Sequence, residues 1–148
     1  MWTDTDYAGC RKTRKSNSGG VVQWGQHTIK TWITAQTMIA LSSGEAEYYG
    51  MVKGASIGLG LQSVLKDFGI TFSLELRSDA SAAISISTRT GFGKVRHIEV
   101  CQLWLQDKVK QAKISVVEVG ANEHVADTLT KHVSKETLGK HWAQLVRK

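Results

Sequence analysis

Gly50, Gly54 and Gly58 recur at four-residue intervals within the segment that reads most clearly as a helix. Each glycine in a helix interior costs about 1 kcal/mol relative to alanine. A helix that keeps three on one face must therefore press that face closely against a sheet or a neighbouring helix. Lys53 and the polar residues around it exclude a membrane dimer stripe. Ser43 is the expected N-cap, and Glu45 and Glu47 put negative charge in the first turn, where the helix dipole favours it. The spacing predicts a helix over 44–67, ending before Gly69.

Around this helix the pattern alternates. A short strand at Trp2-Thr3 ends at Asp4, and a polar, basic loop follows over 5–17. Residues 18–25 and 28–34, rich in β-branched and aromatic side chains, read as a hairpin broken at Gly25-Gln26-His27. Residues 71–78 alternate as a strand, with Phe72, Leu74 and Leu76 on one side. A short helix over 80–87, a glycine-rich joint at Gly91-Phe92-Gly93 and a helix from about 97 to 112 come next. A last strand over 113–119 precedes a helix starting near Glu123 and an amphipathic helix over 135–146. Three strands followed by alternating units imply an α/β fold: a mixed sheet with helices on both faces. Trp24, Trp32, Trp104 and Trp142 are expected to fill its core.

The 148 residues suit a single domain over 1–148. Proline is absent, which rules out a proline-rich linker or recognition module. Cys10 and Cys101 have no ligand-like spacing, so neither a zinc site nor a disulfide framework is expected, and reduced thiols suit an intracellular setting. No apolar run is long enough to span a bilayer. The net charge of +6 is uneven: residues 1–42 carry five Lys/Arg against two Asp/Glu, residues 43–92 four against five, and residues 93–148 ten against six. Basic flanks around an acidic middle fit a polyanion held against an acidic site.

The acids stand at junctions: Asp4 at a strand end, Glu47 in the first turn of the long helix, Asp79 between a strand and a helix, and Asp127 at a helix start. Functional groups of open α/β sheets gather at such places. Hard carboxylate oxygens suit Mg²⁺ or Mn²⁺. The competing reading is that each acid is a helix cap or a solvated surface group, and spacing alone leaves both open.

Five ordered motifs narrow the choice. Trp2-Thr3-Asp4-Thr5-Asp6-Tyr7-Ala8-Gly9 resembles the Tyr-Thr-Asp-Ala-Asp-Trp-Ala-Gly opening of the ribonuclease H domain of copia-type LTR retrotransposon polyproteins. Arg14-Lys15-Ser16-Asn17-Ser18-Gly19-Gly20 is similar to that family's Arg-Arg-Ser-Thr-Ser-Gly-Tyr, and Ala40-Leu41-Ser42-Ser43-Gly44-Glu45-Ala46-Glu47-Tyr48 to its Ala-Leu-Ser-Ser-Thr-Glu-Ala-Glu-Tyr. Arg96-His97-Ile98-Glu99 and Val125-Ala126-Asp127-Thr128-Leu129-Thr130-Lys131 match two further blocks in order. The resemblance implies a ribonuclease H-like fold, a five-stranded mixed sheet flanked by helices on both faces.

It also implies an endonuclease that hydrolyses the RNA strand of RNA/DNA hybrids with two Mg²⁺ ions (Mn²⁺ as substitute), held by Asp4, Glu47, Asp79 and Asp127. These four acids should raise one another's pKa until metal binds. Asp4 is preferred to Asp6 as the strand-end acid. Glu47 is preferred to Glu45, because two residues on a helix are roughly 200° apart and only one of the pair can face the metals. The implied partners are the hybrid and the reverse transcriptase polymerase domain of a parent polyprotein, from which this piece reads as excised. A monomer in isolation and an intracellular location, cytoplasmic, nuclear or in a retrotransposon particle, are also implied.

The pattern is broken in places. The family's Asp-Asn-Gln is Asp79-Ala80-Ser81 here, which removes an amide able to read the minor groove. No histidine lies in 117–122; His124 is read as an exposed helical residue, with a role in product release as the second reading. Only three residues precede Asp4, so a central first strand is expected to be clipped. Arg11, Lys12, Arg14 and Lys15, with Lys94 and Arg96, could grip phosphates, while Ser43 and Ser81 are placed to meet 2′-hydroxyls. The alternatives are a degenerate, non-catalytic hybrid-binding module and an integrase-like nuclease. The complete set of four acids argues against the first, and the Ser-Ser-Gly-Glu-Ala-Glu block against the second.

Overall fold

A computed structural model describes residues 1–91, 93 and 97–146. Lys94 and Arg96 lie outside the described residues. Five strands form one sheet: β1 (Trp2–Asp6), β2 (Asn17–Trp24), β3 (His27–Ala35), β4 (Leu74–Ser78) and β5 (Ile114–Glu118), in the order β3-β2-β1-β4-β5. The first three strands pair antiparallel, while β4 lies parallel to both β1 and β5, so the sheet is mixed as expected. Strand β1 is central. It pairs with β2 over all five residues, so Asp4 sits mid-strand opposite Gly19 rather than at the strand's end.

The glycine stripe explains how the long helix, α1 (Ser43–Asp67), meets the sheet. A Cβ on Gly50 would lie 2.4 Å from Thr5 Oγ1, one on Gly54 2.4 Å from Thr3 Cγ2, and one on Gly58 2.7 Å from the Leu74 methyls. The helix thus rests directly on β1 and β4. Its N-cap is Ser42, one residue earlier than expected, because the Ser42 hydroxyl accepts from the Glu45 N–H at 3.2 Å. The Glu45 carboxylate reaches back to accept from the Leu41 N–H at 2.9 Å, one residue before the cap, so that Ser42-x-x-Glu45 closes the helix start in a variant of the capping box.

Alternation along β1 divides the molecule into two layers. Thr3 and Thr5 face α1, so Trp2 and Asp4 face the other side. The α1 side buries the larger core: Tyr48, Met51, Leu76, Leu105 and Ile114 from α1, β4, β5 and the helix α3 (Trp104–Lys110), with Ala83 and Ile86 from α2 (Ser81–Thr88). Each such large side chain contributes about 1.5–3 kcal/mol on burial. The opposite layer is smaller. Trp2, Val21, Val125 and Ala126 pack there with Leu129 of α4 (Asp127–Thr130) and Leu145 of α5 (Lys135–Leu145). Helices on both faces are therefore observed.

Several elements are shorter than periodicity suggests. Strand β4 begins at Leu74, leaving Phe72 outside it and against the Trp24 ring at 5.7 Å. The stretch expected as one helix over 97–112 is a 3₁₀ turn, Val100–Leu103, leading into α3; neither start has a side-chain cap. Near Glu123 stands another 3₁₀ turn, Ala121–Glu123, and helix resumes only at Asp127.

Of the four tryptophans expected in the core, Trp104 packs against the larger core cluster and the other three are not part of either cluster. Trp24 is 45% exposed and Trp142 61%, while Trp32 and Trp104 are half-buried. Trp32 lies on the edge strand β3 and covers its partner Gly20, where a Cβ would meet the indole at 2.6 Å. Trp2 is the tryptophan that is itself buried, in the smaller core. Cys10 and Cys101 are free thiols. Among the described residues no helix is long and apolar enough to cross a membrane.

Candidate active site

Asp4 is the centre around which the other groups gather. Its side chain is fully buried, which a carboxylate tolerates only with partners. Those come from the far end of the chain: the Thr130 hydroxyl donates to Oδ2, and Lys131 Nζ donates to Oδ1 at 2.8 Å. The approach of α4 depends on Gly19, opposite Asp4, where a Cβ would meet Thr130 at 2.9 Å and Leu129 at 3.0 Å.

Three segments bring the remaining groups. Asp79 follows directly on β4, and ligand atoms of Asp4, Asp79 and His124 lie within 4.8 Å of one another. Asp127 opens α4; its Oδ1 shares a hydrogen bond with His124 Nδ1 at 3.0 Å and accepts from Lys131 Nζ at 3.3 Å. Glu47 reaches the centre from α1. Burial and the negative charges of Asp4 and Asp79 push its carboxyl up to about 9, against the opposing pull of Lys131. Its Oε2 is buried without a hydrogen-bond partner among the described residues.

The mutual raising expected of all four acids thus holds for Glu47 but fails for Asp127. Burial would raise the Asp127 pKa, but the His124 hydrogen bond and the Lys131 ammonium outweigh it and hold it below the ordinary aspartate value.

His124 is not the exposed residue expected. It is fully buried, set edge-on against Trp2 with ring centroids 5.9 Å apart, and its Nε2 has no hydrogen-bond partner among the described residues. Trp2 is itself held by the Arg77 guanidinium, 4.8 Å above its ring, and by an indole N–H donated to Gln23 at 2.8 Å. Burial lowers the His124 pKa, yet the hydrogen bond to Asp127 and the charges of Asp79, Asp127 and Asp4 win and raise it.

Asp6 and Glu45, the neighbours passed over, have structural work. Asp6 accepts from the Asn17 backbone N–H and from Asn17 Nδ2 at 2.9 Å, closing the β1–β2 loop. Glu45 is buried among the Leu41 N–H, the Tyr49 hydroxyl at 2.5 Å and His97 Nε2 at 2.8 Å, away from Asp4. Lys131 was missed. Its four-residue offset from Asp127 was legible as a local pair, but its bond to Asp4 was not.

The residues expected to meet a substrate fall on two helix starts and one loop. Ser43 and Ser81 are exposed and open α1 and α2, whose starts touch where a Cβ on Gly44 would lie 2.7 Å from Ala82 Cβ. Arg11, Lys12 and Arg14 are exposed on the β1–β2 loop, with Lys15 half-buried. Backbone bonds from the Arg14 N–H to the Cys10 carbonyl at 2.7 Å and from the Cys10 N–H to the Lys15 carbonyl at 3.1 Å shape that loop.

The donor set fits a hard divalent cation. Among the described residues the group close enough to share one ion is Asp4, Asp79 and His124; Glu47, with a buried oxygen lacking a described partner, and Asp127, bonded to His124, stand outside that group and next to it.

No protein-family model matches the chain. It is 29% identical over 149 residues, covering 95% of its length, to the retrovirus-related Pol polyprotein from transposon TNT 1-94 of Nicotiana tabacum. It is 28% identical over 137 residues, or 90% of its length, to the corresponding polyproteins from transposons RE1 and RE2 of Arabidopsis thaliana. The chain spans only 11% of the first relative and 9% of the other two. Among solved structures it superposes on LC11-RNase H1, crystallised with an RNA/DNA hybrid, with a TM-score of 0.50 and 16% identity, covering 86% of this chain and 89% of that one. The chain has a ribonuclease H-like fold and is, over nearly its whole length, a relative of the retrovirus-related Pol polyproteins of plant transposons, as the copia-type motifs implied.

Proposed function

We propose that the domain is a metal-dependent endonuclease that hydrolyses the RNA strand of RNA/DNA hybrids. The observation that supports this reading is the approach of Asp4 and Asp79 with His124, whose ligand atoms lie within 4.8 Å of one another, with Glu47 in the field of both acids and Asp127 joined to His124 and, through Lys131, to Asp4. Bringing acids together adds little to fold stability: Glu47 is made costly to ionise by its neighbours, and Asp4 and Asp127 need the Lys131 ammonium beside them. A protein that carries out chemistry on a phosphodiester does gain from it.

In this reading Asp4, Glu47, Asp79 and Asp127 hold two Mg²⁺ or Mn²⁺ ions. Such ions supply water activation and charge neutralisation at the scissile phosphate when bound. The protein's own contribution is placement. The Thr130 hydroxyl and β1 fix Asp4, Trp2 packs against His124, and the His124 hydrogen bond keeps Asp127 oriented and ionised. Exposed Ser43 and Ser81, on two adjoining helix starts beside Glu47 and Asp79, meet the 2′-hydroxyls of the RNA strand across its wide, shallow minor groove. Arg11, Lys12, Arg14 and Lys15 take flanking phosphates, without reading sequence. The partners in this reading are an RNA/DNA hybrid and a polymerase domain in a longer polyprotein.

The test is a panel of labelled RNA/DNA hybrid, duplex DNA and duplex RNA, each with Mg²⁺ or with EDTA. Cutting of the hybrid alone, and only with Mg²⁺, is the expected result. Binding of the hybrid without cutting would instead make the domain a hybrid-binding module, and cutting of duplex DNA would make it a different nuclease of this fold.

A further inference from the structure

The acid centre already contains a cation. Lys131 Nζ donates to Asp4 Oδ1 at 2.8 Å and to Asp127 Oδ1 at 3.3 Å, bridging a carboxylate of β1 and one of α4. With the Thr130 hydroxyl on the other oxygen, Lys131 completes the side-chain partners of buried Asp4. These two oxygens belong to carboxylates assigned above to divalent ions. An ammonium and a divalent ion brought to the same carboxylates compete for these oxygens and repel each other as like charges.

Lys131 is also built to leave. It lies one residue beyond α4, and its side chain is 42% exposed. Lysine is a compact point charge on a flexible stem, whereas an arginine would grip a carboxylate with two parallel bonds and a rigid fork.

We propose that Lys131 is a tethered counter-cation of the acid centre, which a divalent ion must displace from Asp4 and Asp127, so that Lys131 sets the metal affinity of the domain. This rests on the metal-dependent reading of the centre. In the metal-free protein the ammonium offsets the repulsion among acids that β1, α1, β4 and α4 bring together. When an ion enters, the ammonium swings out towards solvent, on the side from which a phosphodiester must approach. Its charge then passes from the acids to the incoming phosphate. Metal and polyanion are thereby favoured together, and neither is held tightly alone.

The test is Mn²⁺ binding to the whole domain, read from the electron paramagnetic resonance of the free ion, for wild type, Lys131→Met, Lys131→Gln and Lys131→Arg. Thermal melts in EDTA and in excess Mn²⁺ accompany it. Lys131→Met, which removes the charge and keeps most of the stem, is expected to bind Mn²⁺ on the order of tenfold more tightly, matching the loss of one charge-assisted bond. It should melt lower than wild type in EDTA and gain more from Mn²⁺. Lys131→Gln keeps a donor for Asp4 without the charge and should also bind more tightly, which provides the measurement if the Met variant does not fold in EDTA. Lys131→Arg should bind no more tightly than wild type. If the charge-neutral variants bind Mn²⁺ no better than wild type, and lose as much stability with Mn²⁺ as without, Lys131 is only a structural clamp on α4 and the proposal fails. If no variant, wild type included, binds Mn²⁺, the metal reading fails with it.

Discussion

Glu45 and Glu47 stand two residues apart on α1 and serve different sites. Glu45 closes the helix start, accepting from the Leu41 N–H and the Tyr49 hydroxyl and pairing with His97. Glu47 lies within the field of Asp4 and Asp79, with one buried oxygen unpartnered. The two glutamine variants should therefore part company. Glu47→Gln should cut hybrid about 10²- to 10³-fold more slowly, the scale on which removing a centre of transition-state charge stabilisation is felt, while its melting temperature holds or rises. Glu45→Gln weakens a buried hydrogen-bonded carboxylate and should lower Tm by roughly 3–6 °C with cleavage reduced far less. Paired melts and cleavage rates check both.

Stability should depend on pH through the same centre. The Glu47 carboxyl is pushed from the usual 4.5 up to about 9. Below pH 4.5 it is protonated in both folded and unfolded chains and costs nothing. As pH rises the unfolded chain ionises first, so stability falls progressively until about pH 9 and then levels. His124, with its pKa raised, contributes in the same direction, its stabilisation being lost above the ordinary histidine range. Asp127, with its pKa lowered, works the other way, but only in acid. Melts in EDTA should fall from pH 5 to 9, and Glu47→Gln should flatten the curve, raising Tm at pH 8 by about 5 °C. An unchanged slope in that variant would show that the loss comes from elsewhere.

The glycine stripe gives a test of packing alone. Gly54→Ala puts a methyl 2.4 Å from Thr3 Cγ2 on the central strand. Its higher helix propensity should not rescue it: overpacking of this kind costs about 1–3 kcal/mol, or roughly 3–10 °C in Tm. Gly60→Ala, on the same helix with nothing within 4 Å of the added Cβ, should instead leave Tm unchanged or raise it. Differential scanning calorimetry of the two variants makes the comparison.

The basic loop should act through salt. Replacing exposed Arg11, Lys12 and Arg14 together by glutamine should weaken hybrid binding and reduce the slope of log K against log salt by about two to three units. Binding isotherms between 50 and 200 mM salt, taken in EDTA to prevent cleavage, measure it. A slope equal to that of wild type would mean these side chains stay in solvent.

Much of this was legible in the sequence because it was local. The β2–β3 hairpin, the glycine stripe and the order of strands and helices each follow from spacing within a few residues, and the motif resemblance added the four acids. What was not legible depends on distant chain. Lys131 and Asp4 meet across 127 residues, a bond no periodicity announces. His124 read as a surface helical residue because its burial comes from Trp2, on the first strand. The tryptophans read as core because they are large, but Trp32 stands on the edge strand, Trp24 at the end of β2 and Trp142 on the exposed side of α5, and only Trp104 packs against the core. The segment 97–112 reads as one helix by composition, yet its first turns lack a side-chain cap and wind as 3₁₀.

The central claim is that Asp4, Glu47, Asp79 and Asp127 cut RNA through bound metal, and the ends of the cut strand report on it most directly. Mass spectrometry of products from an RNA/DNA hybrid should show 5′-phosphate and 3′-hydroxyl RNA ends with Mg²⁺, intact DNA, and no products with EDTA or with Asp79→Asn, whose fold and melting curve stay near those of wild type. Cyclic 2′,3′-phosphate ends, cutting that survives EDTA, or undiminished turnover by Asp79→Asn would contradict the account.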